Sequence, residues 1–565
     1  MMKEGISMKI SNISLAGALA VGMTLSVQAA PASPLVQHEL LEQARQADQA
    51  RTDRLKSTQI QREGLPSAPD TTPSVSGGPS FRIDVIRIEQ MVPEMRFLSA
   101  MTAPYTHKHL DMTTVNTLVQ QMNQALIEKG YATSRVVIPE QNLHSGTLVL
   151  ALQAGRIRHV IYSEGSAKLP WRTSFPCWEG DLLNVHLLEQ GLEQMQRLAS
   201  QNVTMRLLPT GNSSSDIELT IKRSNPAHAV VSVDDSGLSS TGRTQISTDI
   251  VLDNLFYGND TLQLGLNGDG TRDGYERGTR GQSIAYTIPY GKDTFSVSYS
   301  RYKYHQTVSS DPYDFISGGK SDVGTVTWDH LLSRNQSQKT SMDISIRKRN
   351  SHSYINDMEI PIQTLHTTAL EIGLSQRVYL TDGTLYVRAG HRVGLGCFGA
   401  QPENTYDDSP RTRYHMWLFD ADYQKPLTLG HRPAAFTASF HGQWTTSGAR
   451  LYGVDMISMG NRYTVRGFDG EYTLMGESGW YLRNELSSSI AGLNSDLYIG
   501  LDVGKVYGPG TSDLVGNAIA GAVIGLRGSF SSGLSYDAFV GAPIYKPDGF
   551  HTDKTTAGFT VSWRF

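Results

Sequence analysis

The last ten residues, Thr556-Ala557-Gly558-Phe559-Thr560-Val561-Ser562-Trp563-Arg564-Phe565, alternate without interruption. Ala557, Phe559, Val561, Trp563 and Phe565 are apolar, and the residues between them are small, polar or charged. Side chains of an extended chain point to opposite faces with period two, so this run reads as a strand with a different solvent on each face.

Working back from the end, similar runs recur at roughly twenty-residue intervals from about Ala227, separated by Gly, Asn, Asp and Ser clusters. Sixteen are legible, beginning with Ala229–Asp235 and Gln245–Leu252 and ending with Leu534–Ala542 and Ala557–Phe565. An even number lets a single antiparallel chain close on itself. A soluble sandwich or propeller also produces alternating strands. The aromatic C-terminal residue tips the reading toward the closing strand of a bacterial outer-membrane barrel, and the N-terminus agrees. Lys3 and Lys9 precede an apolar stretch from Ile13 to Val27, and Val27-Gln28-Ala29 offers a cleavage site, giving a secretory signal peptide over residues 1–29. Met8 is an alternative start, because Lys9 still supplies the positive flank. No other stretch of eighteen apolar residues exists, which excludes helical membrane spans. A net charge of -4 gives no reason to propose nucleic acid as a partner.

Between the two ends lie modules of other kinds. Residues 30–62 lack glycine and are rich in Gln, Ala, Glu, Arg and Leu, all good helix formers. Leu35, Leu41 and Leu55 are too few for a broad apolar stripe, so this helix stands in solvent or in a water-filled pore. Residues 63–80, with four prolines and Gly77-Gly78, read as a linker. Residues 81–155 and 156–224 then repeat a strand–helix–strand–strand pattern. The first has one strand through Phe81, Ile83 and Val85 and a helix from Thr113 to Lys129; the second has a helix that Asn184 caps. Cys177 and Cys397 fall in different modules, and nothing in their spacing suggests a staple, so two free thiols are expected.

One segment breaks the hairpin rhythm. About thirty-five residues separate Trp444 from Trp480, and loops of such length are usually functional or disordered. Within it stands Val465-Arg466-Gly467-Phe468. With this motif before the fifth strand from the end, the chain resembles a two-partner secretion transporter, the TpsB class of the BamA superfamily. That resemblance covers the whole mature chain. It implies an N-terminal plug helix (30–62), a periplasmic linker (63–80), two periplasmic α/β POTRA domains (81–155 and 156–224) and a sixteen-stranded antiparallel transmembrane β-barrel (225–565). The stretch Phe175-Pro176-Cys177-Trp178-Glu179-Gly180-Asp181-Leu182-Leu183-Asn184 is similar to the hemolysin-activator and CdiB-like branch, although Trp178 replaces an expected basic residue.

In this family the sixth extracellular loop folds into the barrel, and its arginine meets an aspartate on the next-but-one strand. Parity identifies the partner here. Leu497, Ile499, Leu501 and Val503 are apolar and should face lipid, so Asp496, Tyr498, Gly500, Asp502 and Gly504 should face the lumen. Asp502 is the matching carboxylate for Arg466. On the preceding strand Arg483 and Glu485 also face inward and either compete for or extend the network. The alternative is that Arg466 is a solvated loop charge.

The resemblance also implies partners. These are an unfolded exoprotein of the TpsA type (a hemolysin, adhesin or contact-dependent-inhibition toxin), outer-membrane lipid and lipopolysaccharide, and the barrel-assembly machinery, for which Trp563 and Phe565 form the C-terminal signal. The client would be recognised by the POTRA domains and exported without nucleotide hydrolysis. An insertase of other barrels, from the same superfamily, is the runner-up; a diffusion porin lacks periplasmic modules. Gly319-Lys320-Ser321 lacks the glycine a phosphate loop needs, and Gly476-Glu477-Ser478-Gly479 is not a nucleophile elbow. His107 and His109 read as solvated loop residues. No enzyme activity, cofactor or metal is expected.

Overall fold

A computed structural model of the chain describes residues 34–56, 80–211, 213–271, 276–309, 313–404, 406, 409–446 and 448–565. The expected signal peptide, residues 30–33 and 57–62 of the leading segment, and the linker up to residue 79 lie outside these.

Sixteen long strands close into an antiparallel barrel. They are β1 (Ala227–Asp234), β2 (Gln245–Asp253), β3 (Thr261–Asp269), β4 (Arg277–Tyr290), β5 (Asp293–Val308), β6 (Phe315–Arg334), β7 (Gln338–Ile355) and β8 (Leu365–Leu380). The circuit continues through β9 (Gly383–Leu395), β10 (His415–Leu429), β11 (Arg432–Thr445), β12 (Ser478–Ser489), β13 (Ser495–Tyr507), β14 (Ala518–Ser529), β15 (Leu534–Tyr545) and β16 (Thr556–Arg564). Each of the sixteen alternating runs read from sequence falls on one wall strand. The strands extend beyond those runs because backbone pairing continues where the wall leaves lipid and the outward positions turn polar. The alternation has its expected meaning. Val297, Val326, Leu374, Leu501 and Val540 are exposed on the outside, while Tyr304, Ser321, Arg349, Asp422 and Asp502 are buried in the lumen. The seam joins β16 to β1 over five residue pairs, from Thr560 opposite Asp234 to Arg564 opposite Val230.

Connections differ sharply at the two ends. Gly291-Lys292, Thr381-Asp382 and Gly430-His431 are two-residue turns, and Gly291 and Gly430 adopt the positive φ that favours glycine in such hairpins. These turns lie at the end where the chain enters β1, beside the second of the small α/β units. The opposite end carries the longer loops.

The first unit pairs Val85–Glu89 with Thr147–Gln153, and that strand with Arg135–Val137, under helices α2 (Phe97–Thr102) and α3 (Met112–Glu128). The single strand expected through Phe81, Ile83 and Val85 is two strands. The Asp84 and Val85 N–H groups both donate to Gly146 O, which kinks the chain, and Phe81–Ile83 pairs instead with Lys108–Leu110. The Asp111 side chain accepts from Thr114 N at 2.9 Å and starts α3 one residue before the expected position. In the second unit α4 (Val185–Gln196) lies on a three-stranded sheet ordered Arg156–Tyr162, Ser214–Arg223, Gln201–Gly211. The Asn184 side chain accepts from His186 N and caps α4.

This second unit is locked to the barrel turns. Glu193 on α4 sits between Arg334 of β6 and Lys339 of β7, the latter at 2.7 Å. Burial alone would raise the Glu193 carboxyl, but the two cations hold it well below the usual range. Gln194 donates to Thr294 Oγ1 at 2.9 Å, and Gly291 N donates to Thr173 O at 2.7 Å.

The leading helix α1 (Pro34–Lys56) lies inside the barrel. At 23 residues it is about 35 Å long, comparable to the lumen itself. Leu35, His38, Glu39 and Leu40 are buried there. Of the two environments compatible with its polar sequence, the structure places it in the pore.

Both cysteines are free. Burial, reinforced by the Asp181 charge, pushes the Cys177 thiol up to about 12, so it stays protonated at neutral pH. Cys397 is exposed in the loop after β9. Maleimide labelling of the folded protein in detergent should therefore modify Cys397 alone, with Cys177 reacting only after denaturation. Equal labelling of both thiols in the native state would contradict this packing.

Candidate functional site

The lumen is closed by two elements that meet on β12. The first is the loop over residues 446–477, the sixth at its end of the barrel. It turns inward through a short ladder of Ile457–Met459 with Leu474–Gly476. Asn461 shapes the tip: its side-chain oxygen accepts from Tyr463 N at 2.9 Å and Thr464 N at 3.2 Å, a local turn that Asn favours. Val465 and Phe468 anchor it. Both are buried with Met459, Val506, Ile519 and Phe550, and the Phe468 ring meets Phe550 edge-on at 5.8 Å. Gly467 has φ +95°, and a Cβ there would stand 2.5 Å from Ala542 O. Only glycine fits this passage between loop and wall.

Arg466 carries the polar half of the contact. Its Nε and Nη2 donate to the two Asp502 oxygens at 2.7 and 2.9 Å, a bidentate fork. Its backbone N–H adds a third bond to the same carboxylate at 3.0 Å. Nη1 donates to Glu485 Oε2 at 2.6 Å, and Nη2 also reaches Asn484 O at 3.2 Å. The Asp502 side chain is fully buried. Arg466 is therefore no solvated loop charge. Glu485 extends the network, since its second oxygen pairs with Arg527 of β14, whose guanidinium lies 4.4 Å from the Tyr498 ring centre. Two glycines make room: a Cβ at Gly500 would strike the Arg466 guanidinium, and one at Gly521 would strike Arg466 O.

Arg483 does not join that network. It donates from Nη1 to Tyr463 O in the loop and to Asp48 Oδ1 on α1, each at 2.7 Å. Helix and loop thus share one guanidinium, two residues along β12 from Glu485. Further pairs fix α1. Glu39 meets Arg349 at 3.0 Å, Arg54 meets Asp422 at 2.8 Å, and His38 is bridged between Thr241 and Tyr302, each at 2.8 Å. A cavity of about 370 Å³ remains between helix and wall, lined in part by Arg388, Arg392, Asp420 and Gln443.

Sequence reading missed Asp48, Arg527 and Arg462. Arg462 binds Asp235 Oδ1 at 2.7 Å, and Phe559 N donates to the same oxygen at 2.9 Å, so the loop spans the β16–β1 seam. Parity along β14 would have turned Arg527 inward, whereas a helix in a pore gives no comparable signal for Asp48. Trp563 and Phe565 lie away from the lumen, exposed on the outer wall near the short turns, with ring centres 4.5 Å apart.

Residues 213–528 match the haemolysin secretion/activation protein family ShlB/FhaC/HecB. The chain belongs to this family. Residues 81–155 match a ShlB-type POTRA domain and residues 156–209 a second POTRA domain. Outer membrane transporter CdiB-2 of Burkholderia pseudomallei (strain 1026b) is 34% identical over 549 residues, covering 93% of this chain and 94% of that protein. The CdiB transporter of Dickeya dadantii (strain 3937) is 28% identical over 96% of this chain and 97% of its own. The solved structure of CdiB from Escherichia coli superposes with a TM-score of 0.86 at 26% identity, covering 95% of this chain and all of that one. The protein is a CdiB-like two-partner secretion transporter of the BamA superfamily, with its barrel in the outer membrane and its POTRA domains in the periplasm. The short turns are therefore periplasmic and the long loops extracellular.

Asp502→Asn keeps the shape but removes the charge opposing a buried guanidinium. Breaking such a pair costs roughly 3 to 5 kcal/mol. The loop should undock, and trypsin should then cut the folded variant at Arg462 or Arg466 under conditions where the parent resists. Equal resistance would show that the apolar anchors alone hold the loop.

Proposed function

We propose that this transporter receives an unfolded TpsA-type exoprotein on its POTRA domains and passes it through its own lumen without nucleotide hydrolysis. The observation that carries this reading is the attachment of α1. The helix fills the lumen, yet its links to the wall are side-chain contacts such as Glu39–Arg349, Asp48–Arg483 and Arg54–Asp422. No sheet pairing is broken when it leaves. Glu39, Arg349 and Asp422 are buried while the helix is in place, so these contacts release at low cost only as water enters the lumen and solvates both partners of each pair.

Client capture falls to the POTRA sheets. Arg156–Tyr162 and Gln201–Gly211 are the outer strands of the second sheet, and such edges accept an extended peptide as an added strand. After α1 departs, the Arg466 loop must shift from the Asp502 carboxylate to widen the passage. Folding of the client outside then draws the rest through. Contact with outer-membrane lipid belongs to the apolar outer wall, and recognition by the barrel-assembly machinery belongs to Trp563 and Phe565.

Two measurements test this. Arg466→Glu places a carboxylate against Asp502 and Glu485; secretion of the partner should stop while the barrel still assembles. Full secretion by that variant would count against a role for the loop. Removing residues 34–56 should raise single-channel conductance in planar bilayers, and unchanged conductance would mean that α1 does not obstruct the pore.

A further inference from the structure

The outer wall carries a charge pattern that passage through the lumen does not use. On β4 to β7 the lipid-facing positions Ile284, Val297, Val326 and Ile346 are apolar and exposed. Toward the extracellular end the outward positions pass through Gln282, Tyr299, Gly324 and Asp322 and become cationic above them. Arg280 of β4 lies directly opposite Lys303 of β5, and Lys303 directly opposite Lys320 of β6. Arg301 and Lys348 stand on the same face, one and two outward positions nearer the middle. Parity fixes their direction, since the neighbours Tyr304, Ser321 and Arg349 are buried in the lumen.

Among the described residues one acid, Asp322, stands in these rows. It is shared by Arg301 at 2.6 Å and Lys320 at 2.9 Å. Arg280 and Lys303 are exposed and have no acidic partner among the described residues. Like charges directly opposite on a sheet repel and weaken the pairing. A row of three facing cations at the top of an apolar wall is therefore a surface that gains from an external anion. Its height selects the anion: acyl chains lie against the apolar positions below, so the charge must belong to the headgroup of a lipid in the outer leaflet. From Arg280 to Lys320 is two strand spacings, about 10 Å, a span that admits two phosphate groups.

We propose that Arg280, Lys303 and Lys320 bind the phosphates of the lipid A portion of lipopolysaccharide. Lysines serve as point charges for phosphate, and Arg280 adds a planar fork. Arg301 and Lys348 hold the same molecule closer to the acyl boundary. The site rests on the outer-membrane placement of the barrel and is independent of the export route, so its failure would leave the secretion assays untouched.

The experiment is lipid binding to the purified full-length protein in detergent, read by native mass spectrometry. The probes are bis-phosphorylated lipid A, dephosphorylated lipid A and phosphatidylglycerol. Wild type should prefer bis-phosphorylated lipid A over the other two. Arg280→Gln/Lys303→Gln should lower that affinity about tenfold or more, from the loss of two interfacial cations. Arg280→Lys/Lys303→Arg, which keeps the charge, should bind as wild type does, and both variants should retain the heat-modifiable band of a folded barrel. The assignment is overturned if the neutral variant binds as well as wild type, if the charge-retaining variant loses binding equally, or if either control lipid competes on equal terms.

Discussion

Charge enclosed in a cylinder of sheet is the constraint from which the rest follows. Where the wall faces lipid, a charged side chain on the strands has one refuge, the lumen, and there it must find a partner. Arg466, Arg483, Glu485 and Asp502 solve this jointly. Two strands hold a carboxylate each, a loop brings the fork that spans them, and a helix supplies the acid that the remaining arginine needs. The loop motif is thereby explained by packing as much as by charge. Val465 and Phe468 bury the loop against Ile519 and Phe550, and Gly467 passes where no side chain fits. Removing either half leaves the other without its geometry.

The arrangement also separates two kinds of attachment. The POTRA unit nearest the membrane is joined to the turns by a half-buried carboxylate between two cations and by the backbone hydrogen bond from Gly291 N to Thr173 O. The helix in the lumen is held by side chains spread along its length, each reaching a different strand. The first resembles a joint within one rigid body, and the second a set of separate clasps. A transporter needs both, because the platform that presents a client must stay aligned with the pore while the pore's contents change.

Much of this was legible in the sequence, for reasons that differ by residue. Alternation in β13 turns Asp502 inward because a lipid face tolerates Leu497, Ile499 and Leu501 and not a carboxylate. The same rule turns Arg483 and Glu485 inward on β12. It does not say which acid Arg483 takes, since Asp48 lies more than four hundred residues away on an element with no strand parity. The split at Asp84 was invisible because it comes from two N–H groups sharing Gly146 O, while Phe81, Ile83 and Val85 alternate as an unbroken strand would. Helix α2 escaped because six residues are too few to show a period. The polar character of α1 was readable, but water and a wet pore ask the same of a helix surface.

The strands are unequal in a systematic way. Those from β5 to β8 contain 16, 16, 18 and 20 residues in some order, whereas β16, β1, β2 and β3 contain 8 or 9. A bilayer needs only about ten residues from each. The surplus stands above the membrane as a palisade on one flank, and the opposite flank ends near the lipid surface. The mouth is cut on a slant, so whatever emerges meets a stiff sheet on one side and open water on the other.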